Sequence, residues 1–185
     1  MEYFQNHLLI AMPSLKDGYF ERTVTYVCEH NEKGAMGIVI NQAIDMKLPE
    51  LLEQVKISTE DKQINPDTPV FLGGPVNNER GFVLHTPQDC WKSSMKLSDE
   101  LMVTTSKDIL ESFGTPSAPE QYLICLGYAG WDAGQLEKEI IENSWITLPA
   151  TADFVFNTPI HLKWQTATEA LGFAAWQISG ESGHA

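Results

Sequence analysis

The stretch Gln121–Ile141, QYLICLGYAGWDAGQLEKEII, decides how the rest of the chain is arranged. Its first part, Gln121–Tyr128, is an apolar run of strand length and reads as a buried strand. Gly127 and Gly130 then let the backbone reverse closely against the sheet, so Gly127–Gln135 reads as a glycine-rich turn. Asp132 is placed to cap the helix that follows, with Gln135 as its capping-box partner and Trp131 and Leu136 at the hydrophobic-staple positions. On a helical wheel Leu136 and Ile140 define the apolar side and Ile141 its margin. Glu137 falls inside that arc, while Lys138, Glu139 and Glu142 face away. A carboxylate turned inward needs a donor or a cleft. Arg80 is the basic residue expected to meet it, with backbone N–H groups of the turn as the alternative.

Working outward, the N-terminal third alternates like strand: LLIAMP, then Thr23–His30 (TVTYVCEH), then Gly37–Asn41 (GIVIN). Leu48–Val55 is a short amphipathic helix. VFLGGPVNNERGFVLH reads as a hairpin with a long connection, and ELMVTTS as a further strand. Ser106 offers an N-cap to KDILESF, and Gly114 stands where a left-handed cap belongs. SWITLPATADFVF is strand-like. Thr158 and Pro159 are a natural N-cap and first position for a last helix, whose apolar stripe of Trp164, Ala167 and Leu171 ends at Gly172. The ending SGESGHA is expected to be solvated. Strands outnumber helices without alternating regularly with them, which indicates an α+β domain with a mixed sheet over residues 1–185.

No familiar chemical motif survives inspection. Gly34–Gly37 precedes a strand, and Gly73–Gly74 is followed by neither Lys-Ser/Thr nor a helix, so neither forms a phosphate loop. Cys28 and His30 share a strand face by alternation, with Glu29 on the other. His85 and Cys90 lie together farther on, but the four lack zinc spacing and no metal is expected. No nucleophile elbow occurs. Three cysteines, far apart and odd in number, suit reduced thiols in a cytoplasm. The N-terminus lacks a basic region, and its apolar run stops at Pro13, so neither a signal peptide nor a spanning helix is read there. With 12 basic and 25 acidic residues the net charge is −13. Such a surface repels nucleic acid and anionic lipid.

Several blocks in order, LIAMPSLKDGYFERTVTYVCEHNEKGAMGIVIN, VFLGGPVNNERGFVLH, LGYAGWDAGQLEKEI with NSW, and SGESGHA, make the chain resemble the AlgH/YqgE family of bacterial proteins over nearly its whole length. The resemblance implies an α+β fold with a branched mixed sheet that includes a small closed barrel flanked by helices. It implies no established activity; separately, no metal or organic cofactor is expected. The family name reflects an association with transcriptional regulation of alginate synthesis. The acidic surface makes protein partners the expected route for such a role, rather than direct nucleic-acid binding.

Those blocks also place polar residues at strand ends and turns: Glu29, His30, Asn41, Arg80, His85, Tyr128, Trp131, Gln135 and Glu137. Rigid scaffolds carry function at such places. A branched sheet also leaves backbone groups there to be satisfied, so both readings stay open. The leading expectation is a cytoplasmic binding or regulatory protein with a cleft lined by the Gly127–Gln135 turn and the strand ends at His30 and His85. The alternative is a hydrolase-like enzyme using His30 or His85 with Glu137 as acid–base groups.

Overall fold

The computed structural model describes residues 2–15 and 18–172; the ending SGESGHA lies outside them. Ten strands are found among the described residues: β1 (His7–Ala11), β2 (Val24–Asn31), β3 (Gly34–Val39), β4 (Ala43–Lys47), β5 (Pro69–Leu72), β6 (Val76–His85), β7 (Ser94–Lys96), β8 (Met102–Thr104), β9 (Tyr122–Asp132) and β10 (Trp145–Pro149). The helices are α1 (Leu48–Gln54), α2 (Asp108–Ser112), α3 (Gln135–Ile141), α4 (Ala152–Asn157) and α5 (Lys163–Ala170). The sheet runs β10-β1-β2-β3-β9-β6-β8-β7, with β5 and β4 branching from β9. It curls into a half-barrel and does not close into the expected barrel, because no ladder joins the strands at its ends.

β9 is the branch point. Its first half pairs with β6 on one edge and, in parallel, with β5 on the other, Val70 facing Ile124 and Leu72 facing Leu126. Its second half turns to β3, with Gly37 facing Ala129 and Gly34 facing Asp132. The expected glycine turn is therefore not a turn. Tyr128–Asp132 continues the strand, and the chain reverses only at Ala133–Gly134. The VFLGG…RGFVLH hairpin is absent for the same reason, since β9 stands between β5 and β6. Tertiary pairing has overridden a local glycine signal.

The change of partner requires close approach. Gly127 has φ +78°, and a Cβ there would meet the Gly74 carbonyl oxygen. A Cβ on Gly74 would fall on the backbone of Tyr128 and Ala129. Gly73 ties the two ladders together, its N–H donating to Leu126 O at 2.7 Å and its carbonyl accepting from Val39 N at 2.8 Å. The Gly73–Gly74 pair serves this crossing.

The sheet's two sides bury three apolar clusters. Leu8, Ile10, Tyr26, Ile38, Phe71, Phe82 and Val103 pack beneath Val155 of α4 and Trp164 and Ala167 of α5. On the other side, Leu48, Leu52, Val83, Ile124 and Phe113 form a second cluster with α1 and α2. Leu9, Val27, Ala129, Trp131 and Trp145 form a third against Leu136 of α3. Residues 152–157, read as strand, are helical because Thr151 accepts a hydrogen bond from Phe154 N at 3.1 Å. Thr158 and Ser106 do not act as N-caps. Gly114 and Gly172 do take the left-handed conformation.

Candidate functional site

His30 and Glu137 come together, 107 positions apart in sequence, and the partner is not Arg80. A bulge in β2 brings this about. Val27 pairs with Gly37 and Glu29 with Met36, so Cys28 is an extra residue in the ladder. The insertion shifts alternation by one. Cys28 keeps to the side of Tyr26, while His30 turns to the side of Val27 and Ala35, where α3 lies. The expectation that Cys28 and His30 share a face fails on that single residue.

His30 is buried and fully occupied. Its Nδ1 accepts from Phe4 N at 2.9 Å, so the hydrogen is on Nε2, which donates to the Glu137 carboxylate. Tyr3 and Phe4 enclose the ring at 5.0 and 5.9 Å between centroids. Neither nitrogen is left for a substrate. Glu137→Ala is expected to cost about 1–3 kcal/mol, the range for stranding a buried donor; urea unfolding against wild type measures it.

His85 is likewise consumed by the fold. Nδ1 donates to Thr86 O and Nε2 accepts from the Thr104 hydroxyl, both at 2.7 Å, and Ser94 donates to Thr104 at 2.7 Å. Desolvation by burial lowers its pKa, against the opposing hydrogen bond to Thr86. It lies on another part of the sheet from the His30–Glu137 pair, in contact with Trp91 at 5.1 Å.

The remaining predicted residues divide. Asn41 is structural: its Oδ1 accepts from Val24 N at 2.9 Å and its Nδ2 donates to Arg22 O at 3.0 Å. Glu29 is exposed and accepts from Asn31 Nδ2 at 3.2 Å. Gln135 reaches back to accept from Asp132 N at 2.9 Å, which is half of the expected capping box. Asp132 itself does not cap α3, whose N-cap is the left-handed Gly134. Trp131 is buried in one cluster with Leu136, but with Gly134 as the N-cap the two do not stand at the expected staple positions. Its indole N–H donates to Glu139, which also receives Trp145 at 3.2 Å. Glu139 is thus turned inward, contrary to the wheel. The missed signal is two tryptophans near one helix, each with an N–H to satisfy.

Arg80 and Tyr128 meet at a cleft of about 470 Å³. Cys28, Met36, Phe82, Met95 and Val103 supply its apolar walls, and Ser93 and Thr105 add hydroxyls. Tyr128 packs edge-on to Phe82 at 5.8 Å. The Arg80 guanidinium lies 5.3 Å from the centre of the same ring. A smaller cavity of about 210 Å³ occupies the other side of β6, between Leu51, Val83, Ile109 and Glu79.

The Cys28 thiol in the cleft wall is buried. Burial pushes it well above the usual thiol range, and burial likewise pushes Cys125 up to about 12. A disulfide reagent is expected to modify exposed Cys90 quickly and these two only on unfolding. Rapid native-state labelling of Cys28 would contradict the burial described here. Among the described residues no group of three metal-ligating side chains occurs, and no helix is long and apolar enough to cross a membrane.

Comparison with known proteins agrees with this arrangement. A family model described as AlgH-like matches residues 8–176. A UPF0301 protein of Idiomarina loihiensis is 55% identical over the full length of both chains. A UPF0301 protein of Vibrio cholerae is 53% identical, over 97% of this chain and 98% of its own. The solution structure of the AlgH protein from Pseudomonas aeruginosa superposes with a TM-score of 0.79 at 42% identity, covering 99% of this chain and 96% of that one. A crystal structure of a Corynebacterium diphtheriae protein shares the fold at 19% identity, with a TM-score of 0.73 and coverage of 97% and 93%. On the family model and on identity across whole chains, this protein belongs to the AlgH-like family.

Proposed function

We propose that the protein acts by binding rather than by catalysis, as a cytoplasmic regulator that works through protein partners, and that the Arg80–Tyr128 cleft is its recognition site. One observation carries this reading. Both histidines offered as acid–base groups spend both ring nitrogens inside the protein, whereas the cleft keeps a guanidinium and hydroxyls free of hydrogen-bond and ion-pair partners among the described residues. General acid–base work needs a group within hydrogen-bond reach of a substrate, and neither histidine offers one. The net charge of −13 opposes direct contact with DNA, so an influence on transcription would pass through another protein. Three free cysteines suit the reducing cytoplasm.

The test is capture from cytoplasmic extract with wild-type protein and with Tyr128→Ala, both checked for folding by circular dichroism. A protein retained by wild type and lost from the variant is the expected result. Hydrolysis of an ester, amide or phosphoester panel that disappears with His30→Ala or His85→Ala would overturn it.

A further inference from the structure

The cleft carries information about what fits it. Between the pairs Val76–Tyr128 and Gly81–Leu126, β6 places four residues, Asn77 to Arg80, against the single Gly127 of β9. Asn77 takes a left-handed φ of 46° to start this excursion. A bulge of that size gives up ladder hydrogen bonds, and such bulges re-aim side chains beside sites. Two of the four side chains it re-aims are charged. Glu79 borders the small cavity on one side of β6 and Arg80 the larger cleft on the other, and the two also border one open hollow together with Asn77 and Asn78.

The result is unusual for this chain. Acidic residues outnumber basic ones by 25 to 12, yet no Asp or Glu lines the larger cleft. Its one charged residue is Arg80, which rests over Phe82 and, among the described residues, forms no ion pair. The Ser93, Thr105 and Tyr128 hydroxyls also have no hydrogen-bond partner among the described residues. Behind this polar rim stand Phe82, Val103 and two methionines, one of them, Met95, 46% exposed. A planar guanidinium presents a fork that matches a carboxylate in two parallel hydrogen bonds. Thioethers repack readily around an apolar body of variable shape. A volume near 470 Å³ is in the range of small-ligand sites.

We infer that this cleft binds a small monocarboxylate carrying an apolar chain or ring, with the carboxylate on Arg80 and the apolar part between Phe82, Met36 and Met95. The inference rests on the reading of the cleft as the recognition site and adds its ligand class. The ligand would be the signal and the protein partner the recipient.

Titration of the full-length protein with octanoate, 4-phenylbutyrate, acetate and octylamine, followed by two-dimensional NMR, tests it. Octanoate or 4-phenylbutyrate is expected to shift the amides of Phe82, Met95 and Tyr128 saturably, and whichever binds more tightly tells chain from ring. Acetate, lacking an apolar body, is expected to bind at least about tenfold more weakly, as is either long carboxylate to Arg80→Gln, since each change removes about 1.4 kcal/mol or more. Octylamine is expected to leave these amides unmoved. Absence of saturable shifts with both long carboxylates, equal binding of octylamine, or unchanged affinity in Arg80→Gln overturns the inference. If carboxylates fail while Tyr128→Ala still loses a captured protein, the ligand class falls and the binding reading stands. If both experiments fail, both fall.

Discussion

Gly74→Ala is expected to leave little folded protein, with a loss of at least about 4 kcal/mol against a total stability of about 5–15 kcal/mol. The reason is backbone, not side chain. A Cβ at Gly74 would lie on the carbonyl of Tyr128 and the nitrogen of Ala129, where β9 changes partner from β5 to β3. Neither strand can withdraw without giving up the Gly73 hydrogen bonds to Leu126 and Val39. Gly130→Ala is the matched control. A Cβ there meets nothing nearer than the Tyr128 ring at 3.6 Å, so its cost should stay within about 1 kcal/mol. Soluble yield and urea midpoints of the two variants decide the matter. Equal stability would mean that the crossing is looser than described.

Lys163 gives the second large effect, and it depends on pH. Its side chain is buried, with Nζ donating to Ile40 O at 3.0 Å and lying 5.5 Å from the centre of the Phe71 ring. Desolvation lowers its pKa from 10.5 to about 8, against an opposing influence of Cys125. A lysine depressed in the folded state binds its proton more weakly there than in the unfolded chain. Between pH 8 and 10.5 the unfolded chain therefore holds more protons, and this group's contribution to stability rises with pH. It is fully present above the unfolded value and lost as pH falls through about 8. At about 1.4 kcal/mol per pH unit the swing is about 3 kcal/mol. Tyr26 and Cys28, both raised by burial, act in the opposite direction at alkaline pH, so the measurement must be a difference. Wild type is expected to gain about 3 kcal/mol relative to Lys163→Met between pH 7.5 and 10.5. A constant difference would show that Lys163 keeps its ordinary affinity for protons.

Much of the sheet is legible in the sequence, because β1, β2, β5, the second halves of β3 and β6 and the first half of β9 are largely apolar stretches bounded by turn residues. Their assembly is less legible. The tract LGYAGWD reads as a turn because glycines signal reversal locally, whereas here Gly127 and Gly74 make room for another strand. Nothing nearby in sequence says that β3 will arrive. The site divides in the same way. The wheel turns Glu137 inward correctly, but the bulge at Cys28 decides which strand residue it finds. A one-residue slip exchanges the two faces of a strand, and periodicity does not foresee one. Arg80 and Tyr128 stand among the expected residues and do share a cleft. Their apolar companions, Met36, Met95 and Val103, resemble any core residue until the fold leaves the space between them unfilled.

β9 lies at the centre of the sheet and late in the chain, and that order constrains synthesis. Its partners β3, β5 and β6 begin at Gly34, Pro69 and Val76, whereas β9 begins at Tyr122. During translation at about 5–20 residues per second, those partners wait several seconds with unsatisfied edges. The β2–β3 hairpin can form early, but β5 and β6 have no ladder with each other and stay unjoined until β9 slides between them. The nascent polypeptide thus passes through an interval of exposed apolar strands, which holdase chaperones recognise. Ribosome-stalled chains ending before Tyr122 should be protease-sensitive throughout residues 69–104, with protection appearing in one step once the codons through Asp132 have cleared the exit tunnel.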